Sequence, residues 1–146
     1  MANEHFYDVS VKWDADRKGT ISSQSLPGEI EVATPPQFSK GMEGIWSPEH
    51  LFVAAINSCL MTTFLAIAEN SKLQYKSFES KAVGKLEMAD GKYIMSEVTL
   101  MPIVVISKEA DRERAIRVLQ KSEAACLISN SVKSKIVLQP EIRVVV

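Results

Sequence analysis

The chain has 146 residues, 46% hydrophobic and 24% charged, a composition that belongs to a folded globular protein and excludes a disordered or fibrous one. The length fits one domain, residues 1–146, built around one core. Seventeen Lys and Arg against eighteen Asp and Glu leave a formal charge of −1, which disfavours nucleic acid and anionic membrane surfaces as partners.

The N-terminal stretch MANEHFYDVSVKWD alternates polar and apolar residues and lacks a basic segment followed by an apolar one. It does not read as a secretory signal, and the expected compartment is the cytoplasm. Residues 4–13 are predicted to form a half-buried strand with Phe6, Val9 and Val11 as its apolar members. DADRKG then reads as a turn, and residues 20–33 as two short strands broken at Pro27-Gly28. Residues 34–46 hold two prolines and two glycines but also Phe38, Met42 and Trp46, the pattern of a loop packed onto the body.

Ser47 as N-cap, Pro48 at the first helical position and Glu49 in the first turn predict a helix from 48 to about 70. Its apolar run, Leu51 to Ala68, is interrupted by Asn57, Ser58, Thr62 and Thr63. It is expected to fall short of the ~20 apolar residues of a membrane span and to be a buried helix. Residues 75–89 and 92–106 flank Asp90-Gly91, a strong hairpin signal. Ser107 is placed to cap a second helix, KEADRERAIRVLQKSEAAC, with acids early and bases late as the helix dipole prefers. LISNSVKS allows a further helical turn, and KIVLQPEIRVVV a last strand with Pro140 at a bulge or edge. The order of elements is that of an α+β fold.

The two cysteines stand 67 positions apart. In a reducing compartment they are not expected to be a structural staple, and any pairing would be chemical and transient. On a helical wheel Phe52, Ala55, Thr63 and Ala66 lie within about 40° of Cys59, and Ala115, Leu119 and Ser122 within about 40° of Cys126. Both thiols are therefore expected to face inward, and filling core space is the plain reading of each. A reactive thiol needs a reason to ionise, and Cys59 is too far along its helix for the dipole to provide it.

Glu49 precedes Cys59 by ten residues, roughly 15 Å along a helix axis, so the two cannot meet within one chain. A site containing both would take Glu49 from a second subunit lying antiparallel across the first. Phe38, Met42, Trp46, Phe52 and Met61 are candidates to line a pocket, although ordinary core packing explains such residues as well. His50 reads as a solvated or capping residue, and His5 has no visible role. A metal centre drawn from Cys59, Cys126, His5 and His50 lacks any close ligand spacing, and no metal is expected.

Three segments resemble the OsmC/Ohr family of thiol-dependent hydroperoxide reductases, in order and in spacing: DRKGTISS, SPEHLFVAAINSC and KSEAACLISNSV. The resemblance covers nearly the whole chain. It implies a single domain of OsmC-like fold, with antiparallel strands wrapped around a long buried central helix and an intertwined two-fold dimer whose sites lie at the subunit interface. It implies that Cys59 is the peroxidatic thiol and Cys126 the resolving thiol, with Arg17 and Glu49 as the activating pair. It further implies that organic hydroperoxides, with hydrogen peroxide as a further substrate, are reduced through a sulfenic acid and a Cys59–Cys126 disulfide, which an external dithiol opens without any cofactor. The sequence departs from the pattern at Leu127, where proline is common, and Lys18 beside Arg17 is an alternative cation. A non-catalytic redox sensor or small-molecule binder on the same fold is the alternative function.

Overall fold

The computed structural model describes residues 3–146. They group into two compact units, one through Leu51 and one from Phe52 to Val146. The first unit contains a three-stranded antiparallel meander, β1 (Ser10–Ala15), β2 (Lys18–Ser23) and β3 (Leu26–Ala33). β1 turns into β2 through Asp16-Arg17, with Asp16 at φ 50°, and β2 into β3 through Gln24-Ser25. The backbone amide of Gln24 donates to Asp8 Oδ2 at 3.0 Å, which fixes the second turn there.

Two expectations change in this unit. The first strand begins at Ser10, and Phe6, Tyr7 and Val9 are strongly exposed, because among the described residues nothing pairs with or covers them. Pro27-Gly28 lies inside β3 and not at the turn. β3 is an edge of the meander, where a missing proline N–H does not interrupt the ladder.

The loop after β3 is tied down by Met42 N–H to Thr34 O at 2.9 Å and Ala33 N–H to Trp46 O at 2.8 Å. A Cβ at Gly41 would stand 2.0 Å from Pro35 O, so only glycine admits this close approach. α1 (Pro48–Asn70) then starts as anticipated. Ser47 is buried and its Oγ accepts the His50 backbone N–H at 3.1 Å.

In the second unit β4 (Ser77–Ala89) and β5 (Lys92–Ile106) form a long hairpin around Asp90-Gly91, both at positive φ as a type I′ turn requires. The second helix does not start at Ser107. The chain is still extended at Lys108, a 3₁₀ turn spans Glu109–Asp111, and α2 (Arg112–Ala125) follows with no side-chain cap at its start. Arg112 Nη1 instead donates to Ile142 O at 3.0 Å, which ties the head of α2 to the C-terminal strand. That strand comes in two pieces, β6 (Lys135–Leu138) and β7 (Glu141–Val144), separated at Pro140 and both parallel to β5.

The core of this unit joins α1, α2 and the sheet. Phe64 and Ala68 pack with Val104, Ile106, Ala115, Val118, Leu119 and Ile142, while Ile56 and Leu60 pack with Val98 and Leu100. Phe64 stacks on Phe78 with ring centroids 4.8 Å apart. The buried stripe of α1, Ile56, Leu60, Phe64 and Ala68, repeats every fourth residue as a helix packed on a sheet demands. By length and composition α1 would suffice to cross a membrane, so the expectation that its polar interruptions leave it too short is not met. With 22% of its apolar stretch buried, it is a buried helix only along the stripe packed on β5.

Candidate active site

Cys59 lies beside the buried stripe of α1, and the wheel prediction needs correcting here. Its wheel neighbours Ala55 and Ala66 are exposed, and Cys59 is half-buried. The sheet takes Ile56 and Leu60 together with Asn57, whose amide Nδ2 donates to Ser80 O at 2.8 Å and whose Oδ1 accepts from Ser80 Oγ at 2.7 Å. That reciprocal pair sets the rotation of α1 on β4 and turns Cys59 to the flank. Cys126 meets the expectation of burial: it is fully buried, with Ala115, Leu119 and Ser122 buried along the same face of α2.

α2 ends at Cys126, whose φ of −65° and ψ of 112° turn the chain out of the helix. The next residues close a tight turn. Asn130 N–H donates to Cys126 O at 3.0 Å, Asn130 Nδ2 to Ala124 O at 3.1 Å, and Ser131 Oγ to Leu127 O at 2.7 Å. Asn and Ser stabilise such turns because their short side chains reach backbone carbonyls a few residues back. The turn leaves the amides of Leu127 and Ile128 directed at the sulfur of Cys59.

The structure therefore brings the two cysteines together. Burial opposes ionisation of Cys59 and is the largest single influence on it. Hydrogen bonds from the Cys126 thiol, the Ile128 amide, the Thr63 hydroxyl and the Leu127 amide together outweigh that burial and hold the Cys59 thiol below its ordinary value. Thr63 Oγ1 stands 3.9 Å from the sulfur, one helical turn on. Burial pushes Cys126 up, and its hydrogen bond to Cys59 pushes it further. One sulfur is set up to carry the charge and the other to hold the proton.

Arg17 and Glu49 belong to the first unit. Arg17 sits exposed at the tip of the β1–β2 turn and borders an open groove of about 520 Å³ with Trp13, Val32 and Pro48. Glu49 is half-buried in the first turn of α1. Among the described residues no ion pair joins them or occupies either one. Lys18 is engaged, its Nζ 2.9 Å from Glu31 Oε2 across the β2–β3 ladder, which leaves Arg17 as the uncommitted cation of the pair.

His50 is exposed, as the solvated reading expected, and supports the cap: its Nδ1 lies 2.7 Å from Ser47 Oγ, and its ring meets Trp46 edge to face. Of the candidate lining residues, Trp46 borders a separate groove of about 310 Å³ with His50, and Met42 borders one shared by Arg17. No cluster of His, Cys, Asp and Glu able to hold a metal occurs among the described residues.

Sequence reasoning did not assign a role to Thr63 or to the amides of Leu127 and Ile128. Thr63 had a signal, its position four residues after Cys59 on the same wheel face. Backbone amides have no signature in side-chain identity, and only the Ser-Asn pair after Cys126 hinted at a turn there.

Residues 41–141 match the family model described as OsmC-like protein. The chain is 27% identical to the uncharacterized protein YmaD of Bacillus subtilis (strain 168), an alignment covering 97% of this chain and 95% of that one. Among solved structures it resembles an OsmC-like protein of unknown function from Vibrio cholerae, with a TM-score of 0.84 and 25% identity, covering 94% of this chain and 99% of that one. It shares its fold with an organic hydroperoxide resistance protein from Elizabethkingia anophelis, with a TM-score of 0.78 and 18% identity over 99% of this chain and 100% of that one. With the α+β architecture and the juxtaposed cysteines above, the family match over most of its length makes this chain a member of the OsmC-like family.

Proposed function

We propose that this protein is a thiol-dependent peroxidase that reduces organic hydroperoxides in defence against oxidative stress, with hydrogen peroxide as a further substrate. The observation that carries the reading is the sulfur of Cys59, half-open to solvent and facing Cys126 and two backbone amides that favour its thiolate. The Cys59 thiolate attacks the distal peroxide oxygen, the O–O bond breaks, and the alkoxide leaves and takes up a proton as an alcohol. Cys59 is now a sulfenic acid. The Cys126 thiol gives up its proton, attacks that sulfur, expels water and closes a Cys59–Cys126 disulfide. An external dithiol returns both sulfurs to the starting state, and no cofactor takes part. Both cysteines are free in this structure, which is the form that begins the cycle.

Arg17 and Glu49 complete the site in this proposal. The guanidinium stabilises charge developing on the peroxide oxygens, and the carboxylate orients its fork. Glu49 comes from a second subunit in a two-fold dimer. The apolar residues Met61 and Leu65 on the outer side of α1, each about two-fifths exposed, support such a partner. Met61→Glu is expected to convert the dimer to monomers in sedimentation while the chain stays folded, and a dimer unchanged by it sinks this arrangement. The expected compartment is the cytoplasm, where thiols are kept reduced.

Consumption of cumene hydroperoxide with an added dithiol tests the reading. Wild-type protein is expected to consume it and Cys59→Ala to fall to the buffer rate. If the two are equal, the enzyme reading fails and the fold serves sensing or binding instead.

A further inference from the structure

The two sulfurs of the site differ in access. Cys126 has no exposed surface, whereas Cys59 is half-open. Once they are joined, a thiolate arriving from solvent must approach one sulfur in line with the S–S bond. Leaving-group preference pulls against access: Cys59 is the more acidic thiol and would depart more readily if Cys126 were attacked. That preference is graded, whereas a sulfur with no exposed surface offers no line of approach. Access decides.

Attack on Cys59 expels Cys126 as a thiolate into a buried place, which needs a compensating donor. Ser129, three residues on in the same turn, supplies one. It is 7% exposed, and its Oγ is a buried oxygen that makes no hydrogen bond of ordinary geometry among the described residues. Its hydroxyl and its amide both lie close enough to the Cys126 sulfur to favour the thiolate. An unsatisfied buried hydroxyl costs stability in the resting dithiol. It gains a full charge-assisted bond only when Cys126 carries a negative charge.

We propose that reduction of the Cys59–Cys126 disulfide proceeds by attack on Cys59, and that Ser129 is a positioning residue that receives the departing Cys126 thiolate. This rests on the peroxidase reading for its place in the cycle. The first thiolate of an external dithiol forms a bond to Cys59 Sγ as the bond to Cys126 breaks, and the electron pair leaves on Cys126. The second thiol of the reductant loses its proton and attacks its own sulfur in the mixed disulfide. Cys59 is released as a thiolate, and the reductant ends as a disulfide, oxidised by two electrons.

The experiment forms the disulfide with diamide, so its outcome is independent of any peroxidase activity. The oxidised wild-type protein is exposed briefly to glutathione, quenched in denaturant containing N-ethylmaleimide so that a buried thiol is also labelled, and mapped by mass spectrometry. Glutathione on Cys59 with maleimide on Cys126 is the expected result. Glutathione on Cys126, or no Cys59–Cys126 disulfide after diamide, overturns the proposal even if hydroperoxide is consumed.

For Ser129, thiolate absorbance is followed against pH in a Cys59→Ser background. Ser129→Ala is expected to move the Cys126 titration to higher pH and Ser129→Thr to restore it. In the two-cysteine protein Ser129→Ala should slow glutathione attack about tenfold, the scale of one hydrogen bond to a charged group. An unmoved titration in a folded Ser129→Ala protein overturns its role. If that variant does not fold, the titration in Ser129→Thr decides, since a threonine unable to reproduce the wild-type value removes the hydroxyl from the mechanism.

Discussion

Helices α1 and α2 each deliver one cysteine, and they do so by different means. α1 is apolar around most of its circumference and commits only Ile56, Leu60, Phe64 and Ala68 to the sheet, so Cys59 rides within the helix at the border of the buried stripe. α2 is amphipathic, with Ala115, Val118, Leu119 and Ser122 inside and charged residues outside, and its cysteine comes where the helix stops. Cys126 is thus buried at a corner, and the amides freed by the corner point at Cys59. The difference teaches that acidity in a thiol need not come from its own helix. The neighbouring turn supplies the donors that α1, with its amides consumed by its own ladder, cannot.

That contrast can be broken at several levels. Removing the thiol of α1 in Cys59→Ala should abolish hydroperoxide consumption altogether. Cys126→Ala should still permit one oxidation of Cys59 per chain, read as a single turnover by mass spectrometry, but no sustained reaction with a dithiol.

Next in size is the packing beneath the thiol. Phe64→Ala empties the space between Phe78 and Tyr75 and should cost about 3–5 kcal/mol in urea unfolding. Gly84→Ala probes how closely β4 approaches α1 above that layer, since an added Cβ would stand 2.5 Å from Val53 Cγ2 and 2.7 Å from Met95 Cε. Overpacking of this kind should cost about 1–3 kcal/mol and disturb the rotation that sets Cys59 at the flank.

The smallest effects concern acidity. Cys59 lies below the ordinary thiol value of 9.0, so its reaction rate should rise with pH through its own pKa and level off above it. Donors removed from the sulfur raise that pKa and move the rising limb to higher pH. Cys126→Ala should move it more than Thr63→Val, since the Cys126 thiol is the stronger donor, and stopped-flow oxidation against pH measures both. Equal limbs in all three proteins would mean that burial alone governs Cys59.

Much of this molecule is legible in local chemistry. Ser47-Pro48-Glu49 marks the start of α1, and Asp90-Gly91 fixes the β4–β5 hairpin, because caps and type I′ turns depend on residues adjacent in the chain. Pro27-Gly28 misled, since a proline at a strand edge and one in a turn look alike until the neighbouring strand is known. Ser107 misled for a similar reason: its capping pattern is intact, but Arg112 is engaged by β7 some thirty residues away.

The candidate site divides along the same line. The sequence by itself determined that two thiols are available and that Glu49 stands too far along the helix from Cys59 to meet it within one chain, while Arg17 entered only through the family resemblance. Tertiary structure alone decided that Cys59 stands at the flank and not in the core, that Cys126 reaches it, and that Leu127 and Ile128 lend it their amides. Side-chain identity is written residue by residue, but the direction of a backbone N–H depends on where a turn closes and what it closes against.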